Sequence, residues 1–165
     1  MRKLPLLLIV AMMLLTSCGR TIFHETHKIE NETWYRLDQG ENAVASQVFT
    51  FDVHNIEDCY NIDAIVKVDT TRYTANQIPL VVNFDNDNGE QRMFYSMISL
   101  RDKNGKLAGT KDGPYVTVRS HIKEYFFFNY QGTNKIAIKQ GTDKYEIHGI
   151  AEFGLAVEKV NLRVK

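Results

Sequence analysis

The sequence predicts an all-β domain, an antiparallel β-sandwich of jelly-roll or immunoglobulin-like layout, on three observations. Apolar residues recur at every second position in short windows along most of the chain, the period of a strand with one buried face. Turn-forming pairs separate these windows, and Asn88-Gly89 and Asn104-Gly105 supply the positive φ that tight hairpins require. Windows of helical period are few and short, and no repeat of fixed period is present. Short strands at this spacing, with turn signals between them, are the pattern of a two-sheet fold.

Taken in order, the first strand falls at about 23–29. In QVFTFDV (47–53), Phe49, Phe51 and Val53 share a face; in YNIDAIVKV (60–68), Tyr60, Ile62, Ala64, Val66 and Val68 do the same. LVVNF (80–84), RMFYSMISL (92–100), EYFFFNY (124–130), NKIAIKQ (134–140) and EFGLAVEKV (152–160) continue the alternation, for eight strands in all. Gly132 and Gly141 punctuate the later joins. The rings of 124–130 alternate between faces, which fits core plus rim. Short helical pieces are expected only near 75–77 and 117–123.

Ahead of this domain the chain reads differently. Arg2 and Lys3 precede an apolar run from Leu4 to Leu15, interrupted by Pro5, in the layout of a secretory signal. The run is too short to span a bilayer, which takes about 20 apolar residues. It ends in Leu15-Thr16-Ser17-Cys18, followed by Gly19. That ending resembles the lipobox of bacterial lipoproteins, in which the cysteine thiol receives a diacylglycerol and the signal is cut just before it. The resemblance implies a signal peptide over 1–17, a lipidated N-terminus at Cys18 with a brief tether over 18–22, and one sandwich domain over 23–165. Two or three acyl chains, at about 0.8 kcal/mol per buried methylene, hold a protein to a membrane without a transmembrane helix. So brief a tether would keep the domain close to the lipid surface.

Composition removes other classes. Without residues 1–17 the chain loses two cations, leaving 18 Lys plus Arg (20 − 2) against 20 Asp plus Glu, a net charge of −2. No basic stripe is present, so nucleic acid is not an expected partner. With Cys18 lipidated, Cys59 has no intramolecular partner and is expected as a buried free thiol.

No metal or cofactor site is expected. His24 and His27 stand three apart, which on a strand puts them on opposite faces; His54, His121 and His148 are scattered singly. Asp85 to Glu90 lacks the glycine and glutamate positions of a calcium loop and reads as a polar hairpin on Asn88-Gly89. Gly-x-Ser-x-Gly is absent, no catalytic residue is assigned, and the chain is expected not to be an enzyme. The surplus is aromatic: Trp34, eight tyrosines and nine phenylalanines. Flat rings on a sandwich can stack on sugars, so a glycan-binding lipoprotein, with Trp34 as its stacking candidate, is the alternative reading.

The order of lipobox, lone Trp34, YNI (60–62), RYTANQIPL (72–80), DKNGKLAG (102–109), KIAIKQ (135–140) and HGIAEFGLAVEK (148–159) resembles the gliding motility lipoprotein GldH family. The closing run is the most specific, through Gly149, Ile150, Glu152, Phe153 and Gly154. The resemblance implies a lipid-anchored cell-envelope protein that acts with other envelope proteins in gliding and the associated secretion machinery. It implies no catalytic residues. By analogy with lipoprotein sorting, Gly19 after Cys18, with no acidic residue at once following, points to the outer membrane, facing the periplasm.

Overall fold

A computed structural model describes residues 21–38 and 45–160; the expected signal peptide and Cys18 lie outside the described residues. Eleven strands and one 3-10 turn follow in order: β1 (Thr21–Lys28), the turn (Glu30–Glu32), β2 (Thr33–Tyr35), β3 (Gln47–Val53), β4 (Cys59–Asp69), β5 (Gln77–Asn86), β6 (Gln91–Ser99), β7 (Gly109–Asp112), β8 (Tyr115–Phe126), β9 (Gly132–Gln140), β10 (Glu146–His148) and β11 (Ile150–Val160). They form a five-stranded sheet ordered β1-β11-β4-β8-β7, a four-stranded sheet ordered β3-β9-β5-β6, and a two-stranded ribbon of β10 and β2. Every pairing is antiparallel. The all-β antiparallel sandwich read from the sequence is the fold observed.

Alternation places the core. Phe49, Phe51 and Val53 of β3 turn inward, as do Tyr60, Ile62, Ala64, Val66 and Val68 of β4 and Ile78, Leu80, Val82 and Phe84 of β5. Rings bridge the sheets: Phe23 of β1 meets Phe51 of β3 at 5.1 Å between centroids, and Phe84 of β5 meets Phe126 of β8 at 5.9 Å. Such contacts are worth about 0.5–1.5 kcal/mol each beyond their area.

Three expectations need correction. Residues 117–123 are not helical but the middle of β8, where Val116, Val118 and Ile122 alternate inward against β4. Residues 75–77 form no helix either; they run into β5, and the Asn76 carbonyl accepts from Leu100 N–H at 3.0 Å. The strand expected at 124–130 is the tail of β8, which ends at Phe126; Phe128 still reaches the core from the loop beyond. Beyond the eight expected strands, β2, β7 and β10 are three or four residues long, too short to show a period. β1 begins at Thr21, two residues before the expected start.

The pairings also define two ends. At one, here the near end, β1 starts beside the last residues of β11 (Thr21 opposite Glu158), β11 finishes beside the start of β4 (Val160 opposite Cys59), and β3 finishes beside the start of β9 (Val53 opposite Gly132). At the far end lie the 3-10 turn, the β2–β10 ribbon and the β4–β5 and β9–β10 loops.

Candidate functional site

The far end is assembled around a glycine. Gly149 joins β10 to β11 at φ 81°, a conformation with little steric cost only for glycine. A Cβ there would stand 2.7 Å from the Tyr73 nitrogen. Its N–H donates to the Glu32 carbonyl at 2.8 Å, and its carbonyl accepts from Asp69 N–H at 2.9 Å. The chain at 149 is thus threaded between the 3-10 turn and the end of β4. Ile150 and Phe153 are then buried in the core, Glu152 pairs with Lys67 at 3.5 Å, and Gly154 lets β1 approach, since a Cβ there would meet the Thr26 side chain at 2.4 Å. Gly149, Ile150, Glu152, Phe153 and Gly154 of the closing run therefore each have an architectural task.

Trp34 belongs to this architecture. It is fully buried, its indole N–H donates to the Ala45 carbonyl at 2.7 Å, and its ring lies 4.7 Å from that of Phe153. A ring so enclosed has no face to offer a sugar, so the stacking role expected of Trp34 is corrected to a core role.

Outside this support lies a cleft of about 490 Å³, between the loop carrying Arg72, Tyr73 and Ala75 and the wall formed by Lys144 and Tyr145 of the β9–β10 loop with His148 of β10. Its walls are pinned by side chains. Arg72 pairs with Glu32 at 3.0 Å, and Tyr115 Oη donates to the same carboxylate at 2.6 Å; that bond raises the pKa of the Tyr115 phenol. Thr33 Oγ1 and His148 Nδ1 lie 3.1 Å apart, with His148 Nε2 3.0 Å from Glu146. Arg101 donates to three carbonyls, those of Ala75, Gly105 and Tyr73, at 3.0–3.2 Å, a fork that locks the floor of the β4–β5 loop to the 102–105 turn. Tyr73 is buried with its hydroxyl unpartnered among the described residues, and desolvation pushes its pKa up to about 12.

A second polar cluster lies on the outer face of the larger sheet. Asp63, almost wholly covered, accepts from Arg119 at 2.6 and 2.7 Å and lies 2.5 Å from His121 Nδ1. Arg119 also reaches Glu158 at 2.9 Å, and His121 Nε2 faces Glu124 at 3.6 Å. Both imidazole nitrogens face carboxylates rather than a hydroxyl or thiol, an arrangement that braces β4, β8 and β11.

The remaining expected positions are equally placed. His27 stacks on Phe49 at 4.5 Å while His24 is exposed on the other face of β1; among the described residues no three of His, Cys, Asp and Glu are placed to hold a metal ion. Cys59 is a buried free thiol whose pKa burial raises. Asp85 pairs with Lys135, and Asn86 Oδ1 accepts from the N–H groups of Asn88 and Glu90, closing a hairpin with Gly89 at φ 82°.

The elements meeting at the cleft are those of the segments 72–80 and 148–159, whose order and spacing carry the family likeness. The GldH lipoprotein family model matches residues 21–157, which spans every strand but the last residues of β11. The chain belongs to the GldH lipoprotein family. A GldH lipoprotein is held at a membrane by its lipid; no helix of the described residues is long and apolar enough to cross one. No curated protein matches the chain. Among solved structures it is similar to Eiger TNF from S. frugiperda (8% identity, 83% of this chain and 85% of that one, TM-score 0.39). It is also similar to dimeric latent PorU from Porphyromonas gingivalis (12%, 85% and 13%, TM-score 0.31) and to infectious bursal disease virus Gx strain (14%, 89% and 34%, TM-score 0.32). Likeness at this level fixes neither topology nor role.

Arg72 and His148 each open a segment that carries the family likeness, but they are far apart in the chain and no local pattern places them at one cleft.

Proposed function

We propose that this GldH lipoprotein is a non-catalytic interaction component of the cell envelope, anchored through lipid on Cys18 and serving the gliding and associated secretion machinery. The observation that carries the reading is the placement of the cleft. β1 starts at the near end only three residues after Cys18 (21 − 18), while the cleft lined by Arg72, Lys144, Tyr145 and His148 opens at the far end. Lipid at Cys18 therefore turns the cleft away from the bilayer, toward other envelope proteins. Arg72 and the half-exposed Tyr145 in its lining are of residue types enriched at protein–protein contacts. Gly19 and the absence of an immediate acidic residue favour the outer membrane, periplasmic side.

The test is site-specific photo-crosslinking from Tyr145 and Lys144 in native membranes, with mass spectrometry of the adducts. The expected result is a discrete envelope protein captured from these positions and not from Thr50 on the outer face of β3. Capture of nothing at the cleft, with surface spreading, secretion and envelope integrity all unchanged on deletion of the gene, overturns the reading.

A further inference from the structure

Among the described residues the near end gathers more exposed large apolar side chains than the far end, where Leu37 and Tyr145 are exposed. Four are exposed at the near end: Ile22 in β1 (37%), Ile56 in the β3–β4 loop (43%), Tyr125 at the end of β8 (60%) and Phe127 just beyond it (48%). Two are forced outward by their neighbours. Phe126 and Phe128 sit 4.9 Å apart in the core, Phe126 against Phe84 and Phe128 against Tyr60, so the residues alternating with them face solvent. Tyr125 moreover holds φ at 52°. That region costs a bulky residue of order 1–3 kcal/mol and concentrates at functional positions. Tyr125 N–H donates to Asn61 Oδ1 at 3.1 Å, which fixes the strained conformation in place.

The attachment point fits this end. Thr21 stands three positions after Cys18, with Gly19 and Arg20 between them, a reach of at most about 10 Å at 3.3–3.6 Å per residue. Three carboxylates at the same end are matched by cations: Asp58 with Lys159 at 2.8 Å, Asp85 with Lys135 at 2.7 Å, Glu90 with Arg92 at 2.9 Å.

We propose that the near end, through Ile22, Ile56, Tyr125 and Phe127, rests in the headgroup region of the bilayer that carries the lipid anchor. The inference rests on lipidation at Cys18 and adds a second contact with the same membrane. Amphipathic tyrosine and apolar rings partition to that interface. Few exposed residues would not hold a free domain, but the anchor makes their contact intramolecular, at an effective concentration in the millimolar range for so short a link. Docking fixes the domain upright and the cleft outward.

The experiment uses the full lipidated protein, reconstituted in phosphatidylcholine vesicles whose acyl chains carry bromine, a short-range quencher of tryptophan. Trp34, the one tryptophan, lies buried at the far end and gives the baseline. The expected result is that wild-type emission is the same in brominated and plain vesicles, whereas the added emission of Phe127→Trp is substantially lost in brominated ones, with no dependence on salt. Tyr125→Trp gives the same readout should Phe127→Trp fail to fold. Flotation of wild type with the vesicles reports the anchor separately, so loss of flotation sinks the anchoring reading and this one with it. Flotation with position 127 unquenched overturns docking alone, and equal quenching of Trp34 overturns the upright orientation. Quenching absent in vesicles but position 127 shielded in native membranes also overturns it, in favour of a protein partner at this end.

Discussion

Two residues hold charge-linked predictions of opposite sign. Tyr73 is buried with no partner for its hydroxyl among the described residues, and burial raises its pKa to about 12 against an ordinary 10. Above pH 10 the unfolded chain gives up that proton while the folded chain keeps it, so stability falls from pH 10 to 12 by up to about 1.4 kcal/mol per unit. Tyr73→Phe should abolish this part of alkaline unfolding. It should also stabilise the protein at pH 7 by about 1 kcal/mol, since an unsatisfied hydroxyl is removed; chemical denaturation at pH 7 and 11 measures both. Asp69 lies on the other side of neutrality. N–H and hydroxyl donation from Thr71 lowers its pKa below 3.8. Its contribution is whole above pH 3.8 and is lost as pH falls through the lower folded value. Asp69→Asn should flatten the acid limb of a pH–melting curve by lowering the melting temperature at pH 7, with variant and wild type converging at low pH where the carboxyl is protonated in both states. Trp34→Ala should cost about 3–5 kcal/mol, seen as a lowered denaturation midpoint. Unchanged stability on that substitution would contradict the core role assigned to Trp34.

At the scale of elements, the sequence was readable where strands are long and half-buried. The five alternating residues of β4 and the span of β3 agree with the structure because period two over seven or more residues has one physical meaning. The reading failed at β8, where Arg119, Ser120 and His121 interrupt the apolar signal. Arg119 and His121 lie outward on the sheet because Asp63 of β4 pairs with both, a reason that no local window contains. It failed again at β2, β7 and β10, which exist through their partners rather than through propensity. The β1–β11 pairing supplies a prediction at this scale. Gly154 faces Thr26 across the ladder, and a methyl group at 154 would fall 2.4 Å from Thr26 Cγ2 and 2.7 Å from the Glu25 carbonyl. Gly154→Ala should therefore push β1 off its partner. Faster hydrogen exchange confined to residues 21–28, with β4–β8 protection retained, is the expected pattern.

For the whole molecule, the sequence indicated the anchor through one compact motif, whereas the cleft became visible only once the chain was folded. Lipid attachment requires a cysteine after a small pair, a strictly local pattern. A cleft built from Arg72 and His148, with Glu32 and Tyr115 bracing its wall, requires the sheet order that brings them together. This separation implies that anchor and fold are independent. Among the described residues the strands begin at Thr21, and the core draws on none of them before Phe23. Replacing residues 1–18 with a signal cut at an ordinary Ala-x-Ala site should then release a folded domain to the soluble fraction, with the melting temperature of the lipidated protein. Simple Cys18→Ala is the poorer test, because an uncut apolar signal would itself hold the chain on the membrane. The exposed apolar end should not retain the released domain, since its contact is effective only when tethered. Loss of gliding or secretion with full retention of fold would show that position at the membrane is the requirement. Continued sedimentation of this variant with membranes after a high-salt wash would mean that something other than the lipid holds the protein there, and would redirect attention from Cys18 to the sandwich itself.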